Sequence, residues 1–131
     1  MARLNGKVAI ITGASRGIAK LFAAEGAKVA VLSRTLANVD AVVADIRADG
    51  GTAIGALCDI ANAGEIKAAV DKVVATYGGI DILVNNAGMQ HVAPVDEFPV
   101  DKWDKIIALN LSAAFHTIRL AVPHMKEKGW G

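Results

Sequence analysis

The chain has 131 residues, with 14 Lys and Arg against 13 Asp and Glu, and a single cysteine. That length suits one domain with a real core. The near-neutral charge offers no basic stripe for nucleic acid, and one cysteine excludes an internal disulfide framework.

Residues 8–11 (VAII) read as a first strand. A short helix is predicted over 18–25, then a second strand over 28–32. Leu36, Val39, Val42, Val43 and Ile46 recur at helical spacing up to Gly50-Gly51, which stops that helix. A third strand follows over 52–57. Asn62 with Glu65 reads as a capping box for a helix carrying Ile66, Val70, Val73, Val74 and Tyr77, closed by Gly78-Gly79. Residues 80–84 make a fourth strand. Pro99 opens a long helix, 100 to about 123, with Trp103, Ile106, Ile107, Leu111 and Ile118 as its apolar stripe. The strands are almost continuously apolar, as parallel strands covered on both faces should be. Alternating strands and helices predict a doubly wound α/β sheet. No uninterrupted apolar run approaches the ~18 residues of a membrane span. The start resembles no signal peptide, so a cytoplasmic protein without membrane or nucleic-acid partners is the expectation.

The first strand runs into Thr12-Gly13-Ala14-Ser15-Arg16-Gly17-Ile18 at the start of a helix. Gly13 permits a tight turn off the strand. Gly17 leaves room for a phosphate to reach backbone N–H groups at the helix start. The segment has no Gly-Lys-Ser/Thr, which argues against a P-loop nucleotidase. Taken alone, the two glycines are equally compatible with a plain strand-to-helix turn.

Together with Asp59-Ile60, Asn85-Asn86-Ala87-Gly88 and Asn110, this turn resembles the short-chain dehydrogenase/reductase family, in order and in spacing. The resemblance implies a Rossmann-type doubly wound parallel sheet of strand order 3-2-1-4, truncated before a fifth strand. Residues 1–131 would then be a single partial dinucleotide-binding domain. It implies that Gly13, Ser15, Arg16, Gly17 and Ile18 line the pyrophosphate and ribose. Asp59 and Ile60 would meet the adenine. Asn85, Ala87 and Gly88 would lie under the cofactor and brace strand four. Asn110 would join the catalytic group by holding a water in the proton relay.

An acid about 20 residues past the glycines would bind both ribose hydroxyls and repel a 2′-phosphate. The second strand ends instead in Leu32-Ser33-Arg34-Thr35. Arg34 and Arg16 suit a 2′-phosphate, so NADP(H) is the expected cofactor, with NAD as the alternative. Residues 89–94 (MQHVAP), 103–116 and 123–131 resemble the D-3-hydroxybutyrate dehydrogenase branch of the family. There the Gln in the position of Gln90 helps bind the substrate carboxylate. The implied reaction is hydride transfer from 3-hydroxybutyrate or a related hydroxy acid. A 3-oxoacyl or sugar-type reductase and a non-catalytic dinucleotide- or partner-binding module stay open as alternatives. The resemblance also implies a homo-oligomer through the 100–123 helix.

Two departures from the family stand out. The helix after Gly17 is about one turn short, so a turn of packing on the sheet should be missing. The family's Ser and Tyr-x-x-x-Lys are absent from these residues: the one tyrosine, Tyr77, has Asp81 four positions on. The chain as given is therefore expected to show no turnover.

Overall fold

A computed structural model describes residues 2–13 and 15–131; Ala14, inside the glycine turn, lies outside the described residues. Four parallel strands, β1 (Val8–Thr12), β2 (Lys28–Ser33), β3 (Thr52–Leu57) and β4 (Ile82–Val84), form one sheet in the order β3-β2-β1-β4. This is the strand order expected of the sequence. The helices are α1 (Arg16–Ala24), α2 (Leu36–Ala48), α3 (Ala63–Tyr77), α4 (Val100–Ile107) and α5 (Ala113–Lys128).

Side chains along a strand point alternately to the two faces, and both faces are packed. Val8, Ile10, Ala30 and Leu32 join Ile66, Val70 and Val73 of α3 and Ala113 and Ala121 of α5 in one cluster. Ala9, Ile11, Val29 and Val31 join Ala19 of α1 and Val39, Val42, Val43 and Ile46 of α2 in the other. Each large aliphatic side chain fully buried here contributes about 2 kcal/mol. Gly55 of β3 is needed where α2 crosses, because a Cβ there would run into the Val39 side chain.

α1 is only nine residues long. A hollow of about 200 Å³ opens between its end and α2, bordered by Lys20, Ala23, Ala24, Ile46 and Asp49. Asn62 caps α3, its side chain accepting the Glu65 N–H at 3.0 Å. The return half of the expected capping box is not made: Glu65 Oε1 instead accepts the Asp59 N–H, at 3.2 Å, tying the cap to the loop after β3.

The long C-terminal helix departs from expectation in three ways. A π-helical turn, Ala108–Ser112, separates α4 from α5. The helix also runs through Pro123 to Lys128. Proline removes one N–H but does not force a stop, and the end comes at Gly129, whose φ of 69° closes the helix with a Trp130 N–H to Met125 C=O bond of 3.1 Å. Finally, the predicted apolar stripe does not face the sheet. Trp103, Leu111 and Ile118 are 57%, 64% and 46% exposed, while the small side chains Ala113, Thr117 and Ala121 are buried. Close approach to the sheet selects the small face. Taken as a whole, Val100–Lys128 is long and apolar enough to cross a membrane by length and composition alone, a property that counting uninterrupted apolar runs misses.

The Tyr77 hydroxyl is buried without a hydrogen-bond partner among the described residues. Burial pushes its pKa up, against a small opposing pull from Arg47. Removing an unpaired buried hydroxyl while keeping the ring should stabilise, so Tyr77→Phe is expected to raise stability by about 1 kcal/mol in urea unfolding.

Candidate functional site

In a doubly wound sheet, the carboxyl ends of strands leave a crevice where the strand order reverses. Here β1 lies between β2 and β4, so the helices after β1 and before β4 leave on opposite faces. A crevice of about 450 Å³ opens at this place. Of the residues predicted to bind cofactor, it is lined by Gly13, Arg34, Asp59, Ile60, Ala87 and Gly88. One residue run past β2, one past β3 and one past β4 thus converge on the end of β1.

Gly13 has φ of +79°, a left-handed conformation that a side chain disfavours. A Cβ there would lie 3.3 Å from the Ala87 Cα, so glycine also lets β1 and the loop after β4 approach closely. That loop is held from beneath by Thr12. Its buried hydroxyl accepts the N–H groups of Asn86 and Ala87 at 3.0 and 3.1 Å and donates to the Val84 carbonyl at 3.4 Å. One donor and two lone pairs are all that a hydroxyl has.

Asn110 sits on the π-helical turn, a feature frequent at functional sites. Its amide accepts the Met89 N–H at 3.0 Å and donates to the Met89 carbonyl at 2.8 Å. Gly88 is part of the same clamp, since a Cβ on it would come within 2.8 Å of Asn110 Oδ1. Asn85 accepts the Thr117 hydroxyl at 2.7 Å, fastening the end of β4 to α5. Gln90 follows the clamp, exposed, and does not line the crevice.

The start of α1 stands apart from this assembly. Ser15 is its N-cap without a side-chain cap bond, and Ser15, Arg16, Gly17 and Ile18 do not line the crevice. Arg16 pairs with Asp45 of α2, Nε to Oδ2 3.0 Å, and Ile18 packs into the cluster under α1 and α2. Gly17 is exposed, with open space where a Cβ would stand.

Several residues that the sequence reading gave no binding role also line the crevice: Ser33, Cys58, Lys102, Lys105 and Leu109. Lys102, Lys105 and Leu109 do share one helical face by spacing, but only tertiary structure turns that face inward. Burial, with the Glu65 and Asp59 carboxylates nearby, pushes the Cys58 thiol up to about 11. It is a packing residue and not a nucleophile at neutral pH. Asp59 Oδ1 accepts the Ala61 N–H at 3.0 Å, which fixes the carboxylate at the crevice wall.

Residues 7–131 match the family model described as short chain dehydrogenase. The chain belongs to the short-chain dehydrogenase family. It is 47% identical over 134 aligned residues to a D-beta-hydroxybutyrate dehydrogenase of Cupriavidus necator, covering 98% of this chain and 51% of that relative. Among solved structures it resembles a metagenomic short-chain oxidoreductase in complex with NADP, at 34% identity and a TM-score of 0.92, over 98% of this chain and 60% of the other. It resembles NAD+-bound xylitol dehydrogenase equally well in shape, at 31% identity and a TM-score of 0.92, over 98% of this chain and 52% of that one. The chain spans about half the length of the curated relatives it matches.

Proposed function

We propose that residues 1–131 are the cofactor-binding half of a short-chain oxidoreductase that uses NADP(H) and oxidises 3-hydroxybutyrate or a related small hydroxy acid. The observation that carries the cofactor reading is Arg34 at the crevice, at the end of a β2 that offers no carboxylate there. A guanidinium suits a 2′-phosphate, whereas an acid would repel it. The crevice fits a dinucleotide: the left-handed Gly13 leaves the end of β1 bare against Ala87, and Asp59 and Ile60 stand ready for an adenine. Gly13, Arg34, Asp59, Ile60, Ala87 and Gly88 would hold it, with Asn85 bracing the floor through Thr117.

The pyrophosphate roles of Ser15, Arg16, Gly17 and Ile18 belong to the same proposal. They ask the start of α1 to meet the ligand, with Arg16 leaving Asp45. When bound, a nicotinamide supplies the hydride acceptor for the carbinol carbon. Asn110 sets the Met89 backbone and so the loop that carries Gln90, which would serve as an amide donor for a substrate carboxylate. The place of Asn110 in a proton relay, by holding a water, is part of the same proposal and is supported by the family motif it matches. The D-beta-hydroxybutyrate relative supports the substrate class.

Titration of the purified chain with NADP+ and NAD+ tests the cofactor reading. Arg34→Ala is expected to weaken NADP+ about tenfold or more, the worth of a charge-assisted hydrogen bond, while changing NAD+ little. Equal affinities for the two cofactors in the native chain would overturn the NADP assignment. Absence of binding by either would favour the partner-binding module.

The exposed stripe of α4 and α5 supports self-association through this helix pair. Leu111→Glu combined with Phe115→Glu is expected to lower the sedimenting mass to that of one chain. An unchanged mass would place any self-association elsewhere.

A further inference from the structure

The chain as a whole is nearly neutral, yet the crevice is not. Arg34, Lys102 and Lys105 line it against one carboxylate, Asp59. None of the three cations is in an ion pair among the described residues, although other basic side chains are: Arg16 with Asp45, Lys67 with Asp71 and Lys128 with Asp81. Asp101 and Asp104 share α4 with the two lysines but do not line the crevice. Lys102 is partly buried, which removes water from a side chain that has gained no counter-charge. Arg34 follows β2 and the lysines stand on the helix beyond β4, so the cations flank the bare end of β1 from two sides.

A concave site with this unbalanced charge favours an anion, whose own charge offsets the repulsion among the three cations. Lys102 is partly buried and Lys105 exposed, and both border the crevice, so their charges reach it from the rim.

We propose that Lys102 and Lys105 are anion-binding residues of the crevice, holding phosphate oxygens of an adenosine nucleotide from the side of β1 opposite Arg34. This rests on the crevice being the nucleotide site, as proposed above, and it adds two residues to which the sequence reading gave no role. Lysine suits the role as a mobile point charge that reaches phosphate without the fixed fork of arginine. The contribution must therefore scale with ligand charge and weaken as salt screens it.

The test is calorimetric titration of the full chain with adenosine, 5′-AMP and 2′,5′-ADP, at low and high salt. The proteins are the native chain, the double variant Lys102→Gln with Lys105→Gln, and Lys67→Gln as a control for loss of a surface lysine outside the crevice. Circular dichroism checks that each is folded. The double variant is expected to lose about tenfold or more in affinity for 2′,5′-ADP at low salt, less for 5′-AMP, and almost nothing for adenosine. The loss should shrink at high salt, and Lys67→Gln should bind as the native chain does.

Native-like binding of 2′,5′-ADP by the double variant would overturn the inference and leave the nucleotide reading standing. An equal loss for adenosine would also overturn it, because it would mean a packing effect and not an anion contact. If the native chain binds none of the three ligands, the nucleotide reading itself fails and the inference fails with it.

Discussion

Asp81→Ala is expected to cost about 3 kcal/mol of stability, the lower end of what breaking a buried ion pair costs. Asp81 is buried just before β4, and its carboxylate has two partners. Oδ2 accepts the Val8 N–H at the start of β1, at 2.8 Å, and Oδ1 accepts from Lys128 at the end of α5, at 3.0 Å. One side chain thus ties the first strand, the fourth strand and the last helix. Lys128 keeps 42% of its side chain in water, which places the effect at the lower end and not the upper. Removing the carboxylate also leaves a buried N–H on Val8 without its acceptor.

Burial alone would raise the Asp81 pKa, but the Val8 hydrogen bond and the charges of Lys128 and Lys7 outweigh it and hold the carboxyl below the usual aspartate range. A folded-state pKa lower than the unfolded one gives stability that is fully present above the unfolded value, about pH 4. It is lost as the pH falls through that value and then through the folded one. The native chain should therefore lose stability in acid. Asp81→Asn keeps an acceptor for Val8 but carries no charge, so it should flatten that part of the acid dependence. Urea unfolding across pH 2–7 measures both effects. An Asp81→Ala variant as stable as the native chain would mean that water replaces both bonds.

Thr12→Val is expected to cost about 2 kcal/mol and to weaken nucleotide binding together with stability. The substitution keeps the branched shape inside the sheet but strands the N–H groups of Asn86 and Ala87, each of which now bonds the hydroxyl. Partial access of water to this loop keeps the cost below that of two fully buried orphans. Ala87 and Gly88 line the crevice, so the loop they belong to would lose its anchor on β1. Thr12→Ser retains the hydroxyl and should retain affinity, paying only for a lost methyl group, about 1 kcal/mol. Thermal unfolding and nucleotide titration of the two variants separate the cases. If serine weakens binding as much as valine, packing of the methyl group, and not the hydrogen bonds, is what positions the loop.

Much of this molecule was legible in the order of its residues. Short apolar runs without alternation, bounded by turn residues, fit strands covered on both sides, and the two clusters on either side of the sheet are the result. The strand order followed from the family motifs at Gly13, Asp59-Ile60 and Asn85-Asn86-Ala87-Gly88, and four predicted strands formed with the expected neighbours. Glycine stops are local: a left-handed residue at Gly50 or Gly78 ends its helix whatever lies around it. Asn62 likewise caps the helix that begins beside it.

Other features depend on contacts between distant residues, and local patterns do not carry them. Glu65 was expected to bond back to its own cap, but the loop after β3 presents the Asp59 N–H and takes it. The stripe of Trp103, Leu111 and Ile118 is the more hydrophobic face of its helix pair, yet the small face around Ala113, Thr117 and Ala121 is the one that fits against the sheet. The ion pair of Arg16 with Asp45 of α2 joins residues far apart in the chain, and no local pattern marks it. Lys102 and Lys105 were given no role by the sequence reading and border the crevice only because the fold brings α4 beside the loops after β2 and β3. By itself, then, the sequence determined the order of the strands, the glycine stops of the second and third helices and the family, because periodicity, glycine conformation and short motifs act over a few residues. Only the tertiary structure decided which helix face is buried, which charges meet in the crevice and which are spent on neighbouring helices, because those outcomes depend on distances between segments far apart in the chain.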